Sequence, residues 1–450
     1  MDKKNALHKI VRLPLEINKF LLMLNGFPQL FYGTQYLKRK HSIQRDSSTP
    51  SAKKVIDIVN YAIQNIPYYN NLYKYPISSI EEFTETIGFI NRDTLLDHYS
   101  DLINPGINNN EYLEMTTGGT SGKPAKFLIP KNRHIVELST LHTLWERAGW
   151  KYHIRGVIRN DKLSENEIYR INPITKEVIF DSFRLNPQYV RQIVEVLHKY
   201  KIQFIFAYPS AAYQFCKLSR SENLHLGFLK AIICSSEAVF DFQKRLIVDE
   251  LGLKLFSFYG HSEKLIVGGY CEHSDDFHME MQYGYFELVG GDNKPINTPG
   301  QFGEIVGTTL YNYGMPLIRY RTGDYAEYVG DYCEACGRKM PVIRNIQGRW
   351  DKNQIYRKDG TYITTTALNL HSDLYSVIEG LQYIQKQPGS LIVLIIKGDS
   401  FKPEHEKLFN KHYSESMGKE SEVRINYVNN LIYQPNGKFV QLISDISLQP

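Results

Sequence analysis

The sequence predicts an α/β protein with a large N-terminal domain and a small α+β C-terminal domain. Three observations lead there. At 450 residues the chain exceeds what one ordinary core organises, so two or more domains are expected. Between about 150 and 260, short apolar runs (FIFAY, AIICSS) alternate with helical-period segments (YVRQIVEVLHKY, DFQKRLIVDEL), the pattern of strands and helices in a partly parallel sheet. After GRWDKNQIY the character changes, and the remaining stretch is on the scale of one small domain, with SLIVLIIKG its clearest strand. The expected boundaries are residues 1–349 and 350–450, with 1–110 a mainly helical N-terminal part.

Taken in order, KKVIDIVNYAIQNIPYYNNLY spaces its apolar residues as a helix does before Pro67. A Gly- and hydroxyl-rich loop, MTTGGTSGKP, precedes the strand-like AKFLIP and the helix-periodic RHIVELSTLHTLWERAGW. From 282 to 330, YGYFELVG, GEIVGTTLY and LIRYRTGDYAEYVG read as strands with Gly-rich turns, an antiparallel or barrel-like layer. No internal repeat is visible.

Composition narrows the function. The chain is 42% hydrophobic and 22% charged, and its formal charge of +5 is slight for its length, with no concentrated basic block. Nucleic-acid binding is therefore not expected. Five cysteines spread over a long chain do not form a secreted disulfide framework. FLLMLNGF is too short to span a bilayer and lacks a clear cleavage site, so a cytoplasmic location is expected. INKFLLMLNGFPQLFYG could rest on a membrane surface, but packing against the body of the protein is the favoured reading.

The chemistry concentrates in a few islands. MTTGGTSGKP has the composition of a phosphate-holding loop, since Gly permits close approach and hydroxyls and amides donate to oxygens. It is not a P-loop of the nucleotide hydrolases: the required first glycine falls on Thr117, and Pro124 stands where the magnesium-binding hydroxyl belongs. FYGHSEK sets an aromatic, a glycine turn and a glutamate after a strand-like LKLFSF. YRTGD reads as an aspartate at a strand end, able to take both hydroxyls of a ribose. GRWD offers an arginine and an aspartate at the domain boundary, and QPNGKF carries Lys438 on a glycine turn.

The order of these motifs, with YPS at Tyr208–Ser210, SSEAV at Ser235–Val239 and GEIVGTTL, resembles the adenylate-forming superfamily of acyl-CoA synthetases. Within it the likeness is to the phenylacetate–CoA ligase-like branch, including the CapK-like proteins of capsular polysaccharide clusters, over roughly residues 110–440. The resemblance implies a large adenylate-forming, AMP-binding domain, a small mobile C-terminal domain, and activation of a carboxylic acid by ATP and Mg2+. It assigns Thr117, Gly118, Gly119, Thr120, Ser121, Gly122 and Lys123 to the loop on the β- and γ-phosphates. It makes Glu237, Tyr259 and Gly260 adenine-pocket residues, Glu263 the magnesium ligand, Asp324 the ribose-binding carboxylate and Arg349 a second nucleotide contact. Asp351 falls at the hinge, and Lys438 matches the lysine bridging carboxylate and α-phosphate. His261, Ser262 and Trp350 depart from the common pattern of these motifs.

Cys333 and Cys336 form CEAC, at metal-ligand spacing, and YCEHSDDFH supplies Cys271, His273 and His278 upstream. The resemblance favours His278 over His273, and Cys271, His278, Cys333 and Cys336 would close a structural zinc site. Ordinary free cysteines and a surface histidine are the alternative. Cys216 and Cys234 sit in apolar patterns as buried thiols, and no catalytic part is expected for His134 or His142.

The leading expectation is acyl-AMP formation followed by transfer to CoA. Transfer to an amine or hydroxyl of a sugar in surface-polysaccharide assembly is the alternative, and a non-catalytic nucleotide binder a third. If the motif assignment holds, Lys438→Ala should abolish adenylation, because a lost transition-state charge partner costs roughly 3–4 kcal/mol. It should largely spare transfer from chemically supplied acyl-AMP. Following the two half-reactions separately checks this, and equal loss of both would make the lysine structural.

Overall fold

The parallel strands are apolar through their middles, as burial on both faces requires, with charged residues at the ends of some. Arg155–Arg159, Phe204–Ala207 and Ala231–Ser235 carry almost no exposed residue. The computed structural model describes residues 14–24, 27–45, 52–116, 126–159, 161, 163–164, 166–348, 354–358, 362–364, 368, 374, 377–418, 420–435 and 439–446. They fall into two compact units, Met1–Met23 with His153–Leu255 and Gln347–Pro450, and Leu24–Tyr152 with Phe256–Ile346.

In the first unit, Arg155–Arg159 lies between Glu177–Asp181 and Phe204–Ala207, and the latter pairs with Ala231–Ser235, all parallel. Arg170–Asn172 adds an antiparallel edge. The helix Pro187–Lys199 starts at Asn186, whose side chain accepts the Tyr189 amide at 2.9 Å, and Pro187 occupies the first turn, where no N–H is needed. It buries Val190, Ile193, Val194 and Leu197. The short helix Leu15–Met23 belongs to this unit, with Leu22 fully buried in the same core.

The same unit holds a second sheet, Glu422–Tyr427, Ser390–Lys397, Ile378–Gln387 and Leu442–Ser444 in spatial order. The middle pair is antiparallel and both outer pairs are parallel. Phe409, Tyr413 and Met417 of the helix Pro403–Met417 complete its core with Tyr383, Leu391, Val393 and Ile395. Gln382, fully buried, does a specific job here. Its amide donates to the carbonyls of Ile432 (2.8 Å) and Val440 (2.9 Å) and accepts the Ile432 amide at 2.9 Å. Those bonds hold the chain on both sides of residues 434–438, and a single antiparallel bridge joins Tyr433 to Phe439.

The second unit is antiparallel in its sheet. Gly284–Val289, Phe302–Thr309, Tyr320–Gly330, Val342–Gln347, Phe277–Met279, Val267–Tyr270 and Lys254–Gly260 are neighbours in that order. A separate hairpin, Tyr112–Thr116 with Lys126–Pro130, brackets residues 117–125. Phe127 anchors it in the core, and Asn312 donates to the Leu128 carbonyl at 2.7 Å. Arg319, 2% exposed, leads into Tyr320–Gly330. It pairs with buried Glu287 at 3.0 Å and donates to the carbonyls of Thr84 and Ile87 at 2.8 and 2.7 Å. The helix Phe27–Arg45 carries a break at Gly33, whose φ of 77° only glycine adopts easily, so the N-terminal apolar stretch is not one continuous helix.

Asp324 differs from the sequence expectation. It is not at a strand end but inside Tyr320–Gly330, at a register shift where Glu304 faces Tyr325 and Val306 faces Arg321.

The anchoring of these two flanks is testable. Gln382→Leu fits the space but leaves the part-buried backbone groups of Ile432 and Val440 without their side-chain partner, so stability should fall by about 0.5–1.5 kcal/mol. Urea unfolding of the full chain measures it, and an unchanged midpoint would mean the flanks are held elsewhere.

Candidate active site and cysteine–histidine centre

The register shift builds the first part of the site. Extra residues on one strand of an antiparallel pair bend it and re-aim side chains. Gly323, at φ 69°, turns the chain there, and its amide donates to Glu304 Oε1 at 3.1 Å. Thr322 donates its hydroxyl proton to the Ile305 carbonyl at 2.7 Å and accepts the Asp324 amide at 3.0 Å. So RTGD is a designed irregularity: threonine replaces lost ladder bonds, glycine supplies the backbone turn, and the aspartate is presented.

Asp324 meets Tyr259 and His261, which lie at and just beyond the end of Lys254–Gly260. Tyr259 donates its hydroxyl proton to Asp324 Oδ2 at 2.7 Å. His261 Nε2 lies 2.5 Å from the same hydroxyl and 3.5 Å from the same carboxylate oxygen. Burial and then the Asp324 charge push the Tyr259 phenol well above its ordinary range, so it stays a donor. Gly260 is exposed at the strand end. Glu263, 6% exposed, follows in the turn and accepts no hydrogen bond from any described residue. A buried carboxylate whose charge is felt by Tyr259 is suited to a hard cation.

Glu237 belongs to the first unit, just after Ala231–Ser235, where Ser236 adopts φ 70°. Its Oε1 accepts the Phe439 amide at 3.1 Å. Thr117, Gly118, Gly119, Thr120, Ser121, Gly122, Lys123, Arg349, Asp351 and Lys438 lie outside the described residues. Tyr259, Gly260, Glu263 and Asp324 are thus gathered in the second unit, and Glu237 is described only within the first. The role of His261 was missed by sequence reasoning, which noted it only as a departure from pattern. Nothing in the sequence signalled that the RTGD irregularity would face it.

The second part of the site is the cysteine–histidine cluster. Cys271 follows Val267–Tyr270, and His278 sits mid-strand in Phe277–Met279, opposite Gly269 on one side and Val342 on the other. Glycine is needed at Gly268, where a Cβ would come within 2.5 Å of Met279 Sδ and 3.1 Å of the His278 carbonyl. Cys333 and Cys336 occupy a tight turn in which the Gly337 amide donates to the Cys333 carbonyl at 2.7 Å and the Cys333 amide to Arg338 at 2.9 Å. The four ligand atoms of Cys271, His278, Cys333 and Cys336 all lie within 4.8 Å of one another.

The spacings fit one metal ion. Cys333 and Cys271 sulfurs are 3.9 Å apart, and Cys336 Sγ is 3.8 Å from His278 Nε2. Tetrahedral zinc with metal–sulfur bonds of about 2.3 Å has sulfur–sulfur edges of roughly 3.8 Å. A disulfide, at about 2.05 Å, is excluded. Burial, followed by Arg147 and Arg338, holds His278 down to about 3, so its imidazole is neutral, the form that binds metal. Burial raises Cys333 to about 11; in Cys336 it is outweighed by the Arg338 backbone, the sulfurs of Cys333 and Cys271 and the Arg338 charge, and that thiol is lowered. Arg338 is paired with Glu272 and Arg147 with buried Glu280. His273, the other candidate, is not among the clustered ligands, although its amide donates to Cys271 Sγ at 3.4 Å.

Outside these clusters, Cys216 and Cys234 are fully buried free thiols. His142, 1% exposed, joins a packed group with Tyr36, Tyr152, Trp145 and Trp150, its Nδ1 2.7 Å from the Tyr36 hydroxyl. No helix among the described residues is long and apolar enough to cross a membrane.

Comparison with known proteins places this geometry. Residues 355–445 match the CapK C-terminal domain family. Protein CapK of Staphylococcus aureus is 22% identical over 404 residues, 85% of this chain and 86% of that one. The phenylacetate-coenzyme A ligase of Thermus thermophilus is 32% identical over 148 residues, which span about a third of either protein (32% and 33%). Among solved structures, 2-hydroxyisobutyryl-CoA ligase in the postadenylation state aligns with a TM-score of 0.67 at 18% identity, over 89% of this chain and 91% of that one. The acyl acid amido synthetase AtGH3.15 aligns with a TM-score of 0.59 at 14% identity, over 88% and 89%. These two likenesses are of fold. The chain is thus homologous to CapK over most of its length and to phenylacetate-coenzyme A ligases over about a third of it, and it shares the fold of these two solved enzymes.

Proposed function

We propose that this chain uses ATP and Mg2+ to convert a carboxylic acid into an acyl-adenylate, releasing pyrophosphate, and then passes the acyl group to the thiol of CoA. The observation that carries the reading is the gathering of Tyr259, Glu263 and Asp324 at one strand end and one strand irregularity, in a homologue of phenylacetate-coenzyme A ligases. A carboxylate is a poor electrophile at neutral pH, and its approach to ATP brings anions together. Positive charge where negative charge accumulates lowers that barrier. In this reading Asp324 takes the ribose hydroxyls, Tyr259 the adenine, and Glu263 would hold magnesium, which neutralises phosphate charge when bound. Lys123, within the loop 117–123, steadies the outer phosphates, Glu237 and Arg349 add nucleotide contacts, and Lys438 bridges carboxylate and α-phosphate. Asp351 is the hinge on which a domain of 350–450 turns between half-reactions, shielding the reactive adenylate from water.

A second acceptor is supported by the match of 355–445 to the CapK C-terminal domain, the segment carrying the transfer half of the chemistry in this reading. There the acyl group passes to an amine or hydroxyl, with a sugar of surface polysaccharide as acceptor. Cys271, His278, Cys333 and Cys336 hold zinc in a structural role, because four protein ligands leave no open position for chemistry.

Screening a carboxylic-acid library by pyrophosphate release, with and without CoA, tests the function and separates the acceptors. With an active acid in hand, Glu263→Ala and Asp324→Ala should fold normally yet lose acid-dependent pyrophosphate release by about 100-fold or more. Normal turnover by both would sink the assignment.

Zinc has its own test. The purified chain should carry about one zinc, as a single four-ligand site requires. Replacing Cys333 and Cys336 with Ser should lower both metal content and melting temperature. A metal-free wild type of undiminished stability would leave only buried thiols.

A further inference from the structure

We propose that His261 is the positioning residue for Asp324, acting through the Tyr259 hydroxyl to hold the carboxylate ready for a ribose diol. The inference rests on the nucleotide-binding function above but assigns a residue outside that set. Proton counting carries it. Tyr259 has one hydroxyl proton and gives it to Asp324 Oδ2, at 2.7 Å. Its 2.5 Å contact with His261 Nε2 then needs a proton on that nitrogen. The same nitrogen lies 3.5 Å from Asp324 Oδ2, so the ring backs the tyrosine hydroxyl and sits beside the carboxylate oxygen that this hydroxyl holds.

The other ring nitrogen completes the argument. Nδ1 of His261 is buried and finds no hydrogen-bond partner among the described residues. An N–H at Nδ1 would have no acceptor among the described residues, whereas one at Nε2 meets the Tyr259 oxygen, so the surroundings favour the hydrogen on Nε2. The ring stands edge-on to Tyr259, centroids 4.7 Å apart, and its side chain is 10% exposed, which fixes its orientation. A carboxylate can serve two neighbouring hydroxyls only if its plane is held, and the Tyr259 hydroxyl, itself fixed by His261, holds it from one side.

Side-chain amides separate this from a packing role. Gln places an amide group where Nε2 sits, and Asn places one where Nδ1 sits. In calorimetric titrations of the full chain with Mg–ATP and Mg–2′-deoxy-ATP, His261→Leu and His261→Asn should bind ATP about tenfold more weakly than wild type. Both should lose most of the preference for ATP over 2′-deoxy-ATP, while His261→Gln keeps most of it. Tyr259→Phe should show the same loss of preference, and adding His261→Leu to it should cost less than in wild type, because the two act as one unit. Additive losses, equal losses in the Gln and Asn variants, or an intact preference in a folded His261→Leu each overturn the proposal while leaving ATP binding in place. A wild type that binds no ATP removes the functional reading and this inference with it.

Discussion

Thr322 gives its hydroxyl to the Ile305 carbonyl and takes the Asp324 amide, and those two bonds, at 2.7 and 3.0 Å, keep a break in an antiparallel ladder from collapsing into regular pairing. Without the break, residues of Tyr320–Gly330 would alternate strictly between faces, and Asp324 would be carried away from Tyr259. With it, the ladder loses backbone bonds and recovers side-chain ones, and a carboxylate comes to rest on a tyrosine hydroxyl from another strand. Arg319 keeps the entry to this strand rigid by satisfying Glu287 and two carbonyls at once in a buried setting. A buried pair of this kind adds little net stability, but removing one partner is severe, so it fixes geometry more than it strengthens the fold.

Much of this could be read from the residues. The strands FIFAY, AIICSS and SLIVLIIKG and the helix in YVRQIVEVLHKY declare themselves by apolar runs or by helical spacing, both local properties. The CEAC spacing pointed to a metal ligand pair for the same reason. Asp324 was read as a strand-end residue because Thr-Gly-Asp has turn composition, and composition does not reveal that the strand resumes beyond the turn. Asp324, which His261 and Tyr259 face, comes from a segment some sixty residues away, in a register set by Phe302–Thr309, and no local pattern encodes that. The division of the described chain into units built from separate stretches is equally non-local.

The cysteine–histidine cluster is organised by charge as much as by spacing. Three thiolates and one neutral imidazole around a divalent zinc would carry a net charge of about −1. Arg147 and Arg338 lie close enough to depress His278, which puts positive potential where that charge would sit. Each arginine is itself balanced, by Glu280 and Glu272, so neither is a buried unpaired cation. The cluster also ties the turn after Tyr320–Gly330 to the Phe277–Met279 strand, and so supports the same strand whose irregularity presents Asp324.

The lysines of the proposed reaction are carried differently from its acids. Glu263 and Asp324 sit on or beside strands, where position is set by the sheet. Lys123 and Lys438 belong to short Gly-containing segments, one in each unit. What the fold supplies in both cases is a fixed pair of flanks: the Thr116–Lys126 pairing of a hairpin anchored by Phe127 and Asn312, and the Tyr433–Phe439 bridge anchored by Gln382. A cation that must neutralise charge only as it develops does most when its approach is limited to one short path. In the proposed reaction, acceptors set by the sheet and donors on segments with paired flanks would divide the labour as the chemistry asks: a ribose and a metal need constant geometry, whereas a phosphoryl group changes charge and shape as it reacts.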